Sequence, residues 1–239
     1  MDPFSFIAGG LLVYIAGAVF VIGMAYRFAQ WFHVARNSTR LGMFPRAEGT
    51  IGMLLRLGKD SFLFPQVAEV DKPMWIFVLL LHVSIIGAFV GHLRLINEFT
   101  PLANLLGPVG MDRFSHLAGG TIGIIFMVSL IYLFMRRFKS PYKDISTPED
   151  YLLLILILFI VLMGNHLRFF GNIHIGDYRE YVQSLLTFSP HFPAALANSG
   201  IKWVLVSHVS LACLLFIYFP FSKLIHFVGT FAVNLIRSE

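Results

Sequence analysis

Cysteine occurs once in this 239-residue chain, as Cys213. That excludes a disulfide framework, a thiolate zinc site, a cysteine-ligated iron–sulfur cluster and a CxxCH-type covalent haem. Any metal bound here needs nitrogen or oxygen ligands. Charge is equally scarce: Asp, Glu, Lys and Arg together supply 13% of residues, and 57% are hydrophobic, whereas soluble domains carry about 25% charged residues. With a mean hydropathy of +0.75, the chain cannot cover a compact core with polar surface. Its solvent is lipid, and a water-soluble enzyme is excluded. The net charge of +5 is not arranged as a basic run interleaved with exposed aromatics, so nucleic acid is not a partner. Internal repeats and low-complexity tracts are also missing.

What is abundant is the long uncharged run. A helix needs roughly 17 to 25 apolar residues to cross about 30 Å of hydrocarbon. Uncharged stretches of 24, 21, 22, 17 and 20 residues lie between Asp2 and Arg27, Lys72 and Arg94, Arg113 and Arg136, Asp150 and Arg168, and Lys202 and Lys223. They predict an all-α membrane protein, one integral membrane domain over 1–239 with five transmembrane helices at about 5–30, 74–96, 115–137, 150–170 and 202–228. A sixth uncharged stretch, 181–201, holds Pro190, Pro193, Gln183, Asn198 and several serines. It would strand backbone groups in lipid, so it is expected as a loop or interfacial segment.

Thirteen of the 18 Lys and Arg fall on one side if the N-terminus is outside and the C-terminus cytoplasmic, the orientation that the cytoplasmic enrichment of basic loops favours. The first apolar run is too long for a cleaved signal peptide and has no basic stretch before it. The cytoplasmic loop 34–72 then carries the Gly- and Pro-punctuated stretch Leu41 to Arg46 and an apolar, basic segment, Ile51 to Lys59. The latter is expected as a short amphipathic helix, resting on the membrane surface or docking a cytoplasmic partner subunit.

Histidine carries the chemistry. His82 and His92 lie in the second span; His208 and His226 lie on the fifth span and its inner extension. Imidazoles in lipid need partners. The two spans run antiparallel, so His82 faces His226 near the inner side and His92 faces His208 toward the outer side. On straight helices rising about 1.5 Å per residue, the separations within each helix are roughly 15 and 27 Å. A bend at Pro220 is expected to absorb that mismatch. His208 and His226 would share one face, and His82 and His92 lie within roughly 80° of each other. Two stacked bis-imidazole sites suit two b-type haems. Gly87, Gly91, Gly119 and Gly120 offer small positions for close approach, although Gly87 and Gly91 equally form a packing GxxxG. Spacing alone leaves open a proton relay, a different metal centre, or histidines satisfied by neighbouring helices.

At these residues the chain resembles the gamma subunit of respiratory nitrate reductase and related di-haem cytochrome b subunits. The resemblance rests on Tyr14 to Gly23, on His82-x9-His92 ending in Phe-Val-Gly-His, and on Ala118-Gly-Gly120 followed by Arg136 to Pro141. It also rests on His208-x17-His226 enclosing Phe219-Pro-Phe-Ser222. It implies a membrane anchor in a prokaryotic cytoplasmic membrane that oxidises a quinol, menaquinol or ubiquinol, near the outer face. Electrons would pass through two b haems to a cytoplasmic iron–sulfur subunit. His82 and His226 would ligate the inner haem, and His92 and His208 the outer one. The long first loop and the segment after Asn165 to Phe170 look more like the cytochrome b subunits attached to heterodisulfide-reductase-like iron–sulfur proteins, the type associated with sulfite reduction. A nitrate-reductase-beta type partner is the other expectation, and further membrane or periplasmic subunits fit either.

Quinol oxidation releases two protons, so polar groups are expected beside the outer haem. The candidates at that level are Arg94, Asn97, Glu98, Asp112, Arg113, His116, Asn165, His166 and Arg168, with Arg113, His116 and His166 put forward as the quinol-site residues. His33, His174 and His191 are expected at interfaces or in solvent. A different class of function, a proton channel or transporter working through a histidine relay, would favour acidic partners for its histidines. The second and fifth spans contain none. An intramembrane hydrolase would have to use Ser207 beside His208, and adjacent helical residues point about 100° apart.

Overall fold

In the computed structural model, residues 1–34, 49–226 and 228–230 are described. Among them there is no strand. The helices are α1 (Pro3–Phe6), α2 (Leu12–Val34), α3 (Gly49–Phe62), α4 (Pro65–Val70), α5 (Lys72–Leu93), α6 (Thr100–Arg136), α7 (Tyr142–Ile145), α8 (Pro148–Phe170), α9 (Ile175–Leu186), α10 (Ala194–Ala197) and α11 (Lys202–Tyr218). A π-turn at Ile7–Leu11 joins α1 to α2. Five helical stretches are long and apolar enough to span a membrane: Pro3–Trp31, Lys72–Leu93, Thr100–Arg136, Pro148–Phe170 and Lys202–Phe221. This is an all-helical, multi-pass membrane protein.

Local chemistry sets the helix ends. Asp2 caps α1 by accepting from the Ser5 amide at 3.0 Å, and Pro3 takes the first helical position. Such side-chain caps satisfy backbone amides that have no intrahelical partner. The two Ser5 bonds and Lys202, whose Nζ is 3.1 Å away, hold the Asp2 carboxyl well below its ordinary range. A reciprocal box between Thr147 and Asp150 opens α8, with Pro148 following Thr147.

Three expectations need correction. α6 begins at Thr100 rather than near 115, and its path breaks at Gly107, where φ is +69° immediately before Pro108. Proline disfavours the helical region for the residue before it, and glycine tolerates the left-handed alternative. The stretch 181–201 is not wholly loop: α9 runs through Leu186, and Tyr181, Phe192 and Leu196 are buried with Ala8, Leu205 and Val206. Tyr181 donates its hydroxyl to the Gly9 carbonyl. The fifth span does not run helically to 228. α11 ends at Tyr218, and 3₁₀ turns at Phe219–Phe221 and Lys223–Ile225 intervene before His226. Proline cannot donate to a continuing helix, so His208 and His226 do not share a face of one helix. The amphipathic segment of the first loop does form a helix, α3. The expected stretch Leu41 to Arg46 lies outside the described residues.

The chain divides into two compact units, Met1–Tyr14 with Leu80–Cys213, and Ile15–Leu79 with Leu214–Glu239. In the first, α6 lies along α8, and Phe126, Leu130 and Val161 form an apolar core with Leu81 and Ile85 of α5 around them. In the second, Gly23 permits contact with Pro220: a Cβ there would sit 2.7 Å from the proline side chain. Arg27 Nε donates to the Pro220 carbonyl at 2.9 Å, and Phe20 meets Phe216 and Phe219 edge-on. α3 and α4 belong to this unit, where Trp75 Nε1 donates to the Leu63 carbonyl at 2.7 Å.

Candidate haem site

His92 on α5 and His208 on α11 both lie in the first unit, and their rings come together. The centroids are 6.2 Å apart and the planes are within 7° of parallel. Each ring has one nitrogen committed to a backbone carbonyl. His92 Nδ1 is 2.7 Å from the Ala88 oxygen, and His208 Nδ1 is 2.9 Å from the Ile160 oxygen of α8. A carbonyl only accepts, so Nδ1 is the donor in each contact and Nε2 is the ring nitrogen left for another partner. This is the arrangement that fixes the tautomer and orientation of metal-ligating imidazoles.

The donor set fits a haem iron: His92 and His208 would hold it through their two Nε2 atoms, their ring centroids 6.2 Å apart and nearly parallel, and the haem would supply reversible one-electron chemistry. Room for the His208 ring comes from Gly164, where a Cβ would lie 3.1 Å from the imidazole. Gly91 has open space where its Cβ would be. Gly87, by contrast, is a packing residue, since a Cβ would lie 2.8 Å from Ile122 of α6.

The other two candidate ligands are placed separately. His82 is half-buried on α5 in the first unit. His226 lies in the second unit, its Nδ1 2.9 Å from the Lys223 carbonyl. It repeats the pattern of a carbonyl-held Nδ1.

Beyond His92 the chain builds an ionic cluster. Arg94, 5% exposed, binds both Glu98 oxygens at 2.7 and 3.2 Å and Asp112 Oδ1 at 2.6 Å. From α9, Arg179 donates to the Arg94 carbonyl and to Glu98 Oε2, the latter at 2.9 Å. The hydrogen bonds from Arg94 lead in holding Glu98 down to about 2, against burial and with help from Arg179. Burial works against the Arg94 charge, but its bonds to Glu98 and Asp112 prevail and raise its pKa.

Two further polar groups stand differently. Arg168, half-buried near the end of α8, lays its guanidinium against Gly119 of α6, where a Cβ would be 3.0 Å from Nη2. The hydroxyl of Tyr178 is buried without a hydrogen-bond partner among the described residues, beside Gly171. Burial pushes its pKa up. An unpaired buried hydroxyl costs about 1–3 kcal/mol.

Of the quinol candidates, Arg113, His116 and His166 are all exposed. The His116 ring meets Phe169 edge-on and His166 lies against Phe170. Asn165 turns to α6 instead, donating to the Gly123 carbonyl at 3.1 Å. His174 and His191 are exposed as expected, while the side chain of His33 lies outside the described residues. Sequence reasoning named Arg94, Glu98 and Asp112 one by one but missed that Arg179 joins them. It also missed Tyr178, for an aromatic in a connecting segment carries no signal until its hydroxyl is seen to be buried.

The profile of the nitrate reductase gamma subunit family matches residues 51–238. The Hdr-like menaquinol oxidoreductase cytochrome b-like subunit of Archaeoglobus fulgidus is 30% identical over alignments covering 94% of this chain and 77% of its own length. Its counterpart in Archaeoglobus profundus is 27% identical, covering 91% and 74%. The respiratory nitrate reductase 1 gamma chain of Escherichia coli K12 is 28% identical, covering 89% of this chain and 85% of that one.

Proposed function

The chain belongs to the nitrate reductase gamma subunit family, and from that premise we propose that it is a di-haem b membrane anchor that oxidises a quinol near the outer face and passes electrons inward to a cytoplasmic iron–sulfur subunit. Its relatives are subunits of a menaquinol oxidoreductase and of respiratory nitrate reductases, which supports a membrane electron-transfer component of an oxidoreductase complex. The single observation that carries the proposal is the His92 and His208 pair, parallel rings 6.2 Å apart with each Nδ1 held by a carbonyl. His82 and His226 are assigned to the inner haem on their sequence spacing and the family resemblance. Haem supplies reversible one-electron chemistry, which lets a two-electron quinol be oxidised in single steps.

The protein's own residues fix ligation and handle protons. His92 and His208 would present their two Nε2 atoms to the haem iron and keep them aimed through their Nδ1 bonds. Quinol oxidation to quinone releases two protons with two electrons, and the exposed imidazoles of His116 and His166 are assigned to accept them, with Arg113 steering the headgroup. On the inner side, α3 and α4 with Arg56, Lys59 and Lys72 are assigned to partner docking. The N-terminus is placed outside and the C-terminus inside a prokaryotic cytoplasmic membrane, as a single domain over 1–239. The Archaeoglobus relatives favour menaquinol and an Hdr-like iron–sulfur partner over a nitrate-reductase-beta type.

A reduced-minus-oxidised visible spectrum of the purified protein, with haem quantified as the pyridine haemochrome, tests this. Two b haems per chain are expected. A protein purified folded and without haem overturns the reading and transfers the histidines to a proton relay.

A further inference from the structure

The cluster beyond His92 contains two arginines, both matched, and a third, Arg168, stands beside it. Arg94 and Arg179 share Glu98, and Arg94 also takes Asp112. Arg168 makes no hydrogen bond or ion pair among the described residues, although it lies within electrostatic reach of Arg94 and Tyr178. A guanidinium stays charged at every physiological pH, and a cation near the end of a membrane span without a counter-charge is costly. The buried Tyr178 hydroxyl, 3.1 Å from where a Gly171 Cβ would be, is a second donor without a hydrogen-bond partner among the described residues. Both carboxylates of the cluster are already engaged with Arg94 and Arg179, which leaves Arg168 open to a ligand carboxylate.

The position of Arg168 says which ligand. On α8, Arg168 lies one turn beyond Gly164, on the same face, and Gly164 borders the His208 ring. A planar fork of donors matches a carboxylate bidentately, and the phenol adds a third donor. A neutral quinol hydroxyl calls for no permanent cation, whereas the edge of a b-type haem carries carboxylates. We infer that Arg168 and Tyr178 hold a propionate carboxylate of the haem ligated by His92 and His208, an assignment that rests on the haem reading of that pair. Gly119 is small because the Arg168 guanidinium lies where its side chain would be, whereas at Gly171 the Leu167 carbonyl already excludes a Cβ. A cation beside the porphyrin favours its reduced form.

The test uses the full chain with Arg168→Gln, Arg168→Lys and Tyr178→Phe, measuring haem per chain, redox titration and the propionate deformation bands in the resonance Raman spectrum. Arg168→Gln is expected to keep both haems, shift one midpoint potential downward and move the propionate band. The haem so affected is the one that His208→Ala removes. Arg168→Lys restores part of the potential, and Tyr178→Phe gives a smaller shift of the same sign. Unchanged potentials and bands with a raised KM for a soluble quinol overturn the inference and assign the pair to the quinol. If Arg168→Gln fails to fold, the isosteric Tyr178→Phe decides, and an unchanged band then overturns the inference. A wild-type chain without haem defeats the ligand reading itself, a result distinct from two haems whose propionates ignore Arg168.

Discussion

The same two helices, α6 and α8, are built differently along their length. Around Phe126, Leu130 and Val161 they meet through apolar side chains, with Leu130 fully buried. From Gly119 to Gly123, opposite Asn165, Arg168 and Phe169, they meet through glycines and polar groups. The first stretch behaves as ordinary packing, where each methylene lost costs stability. The second holds Asn165, which donates to the Gly123 carbonyl, and Arg168, whose bonding the two helices do not complete. The contrast teaches that one stretch holds the helices together through apolar side chains, while in the other the glycines of α6 let Asn165, Arg168 and Phe169 of α8 approach closely and Gly164 makes room for His208.

The sharpest break in that contrast comes from the ligands. On the di-haem proposal, His208→Ala, or His92→Ala, is expected to remove one haem completely, halving the pyridine haemochrome per chain, and to abolish quinol oxidation. The apolar stretch should respond in the opposite way. Leu130→Ala removes a fully buried side chain and is expected to cost about 2–5 kcal/mol in detergent-based unfolding, with haem per folded chain unchanged. If Leu130→Ala instead depletes haem from folded protein, the two stretches are not separable in function.

Gly123→Ala probes the boundary between them. A Cβ there collides with Asn165 Oδ1, so overpacking of about 1–3 kcal/mol is expected. The variant also strains the Asn165 bond to the Gly123 carbonyl. Adding Asn165→Ala should recover part of the loss, and a double-mutant cycle on unfolding free energy measures how much. Strict additivity would mean that the close contact does not shape the stability of this pair.

Much of this was legible in the sequence. Uncharged runs located the five spans because lipid forbids charge over a fixed length, and the antiparallel order of the second and fifth spans paired His92 with His208. What was not legible depends on local backbone chemistry. Asp112 and Arg113 interrupt the uncharged run, so it reads as starting only after Arg113, although the helix passes through them from Thr100 and breaks instead at the uncharged Gly107 and Pro108. Phe219 to Phe221 turn into 3₁₀ geometry because Pro220 ends α11, which periodicity extended to 228 cannot register. α9 was hidden because its buried face, Tyr181 and Ser184, is short and embedded among turn-forming residues. The role of Glu98 required knowing that Arg94, 18 residues before Asp112 in sequence, reaches both acids.

The smallest expected effect belongs to that cluster, and it carries a definite sign. Arg94 first, then Arg179, hold the Glu98 carboxyl down to about 2 from an ordinary value of 4.5. A depressed folded-state pKa contributes stability that is complete above the unfolded value and lost as pH falls through the folded one. The segment from Arg94 to Phe99 should therefore keep its hydrogen-exchange protection from neutral pH down to about 4.5 and shed it progressively toward about 2. Since partly exposed ion pairs contribute about 0.2–1 kcal/mol, the change is confined to this end of the protein. Glu98→Gln should weaken protection at neutral pH and flatten its dependence on acid, while exchange around Leu130 stays unaltered in both proteins. Acid sensitivity at Leu130 that matches the Arg94 segment would show that the polar and apolar stretches open together, and the contrast drawn along α6 and α8 would then describe contacts but not stability.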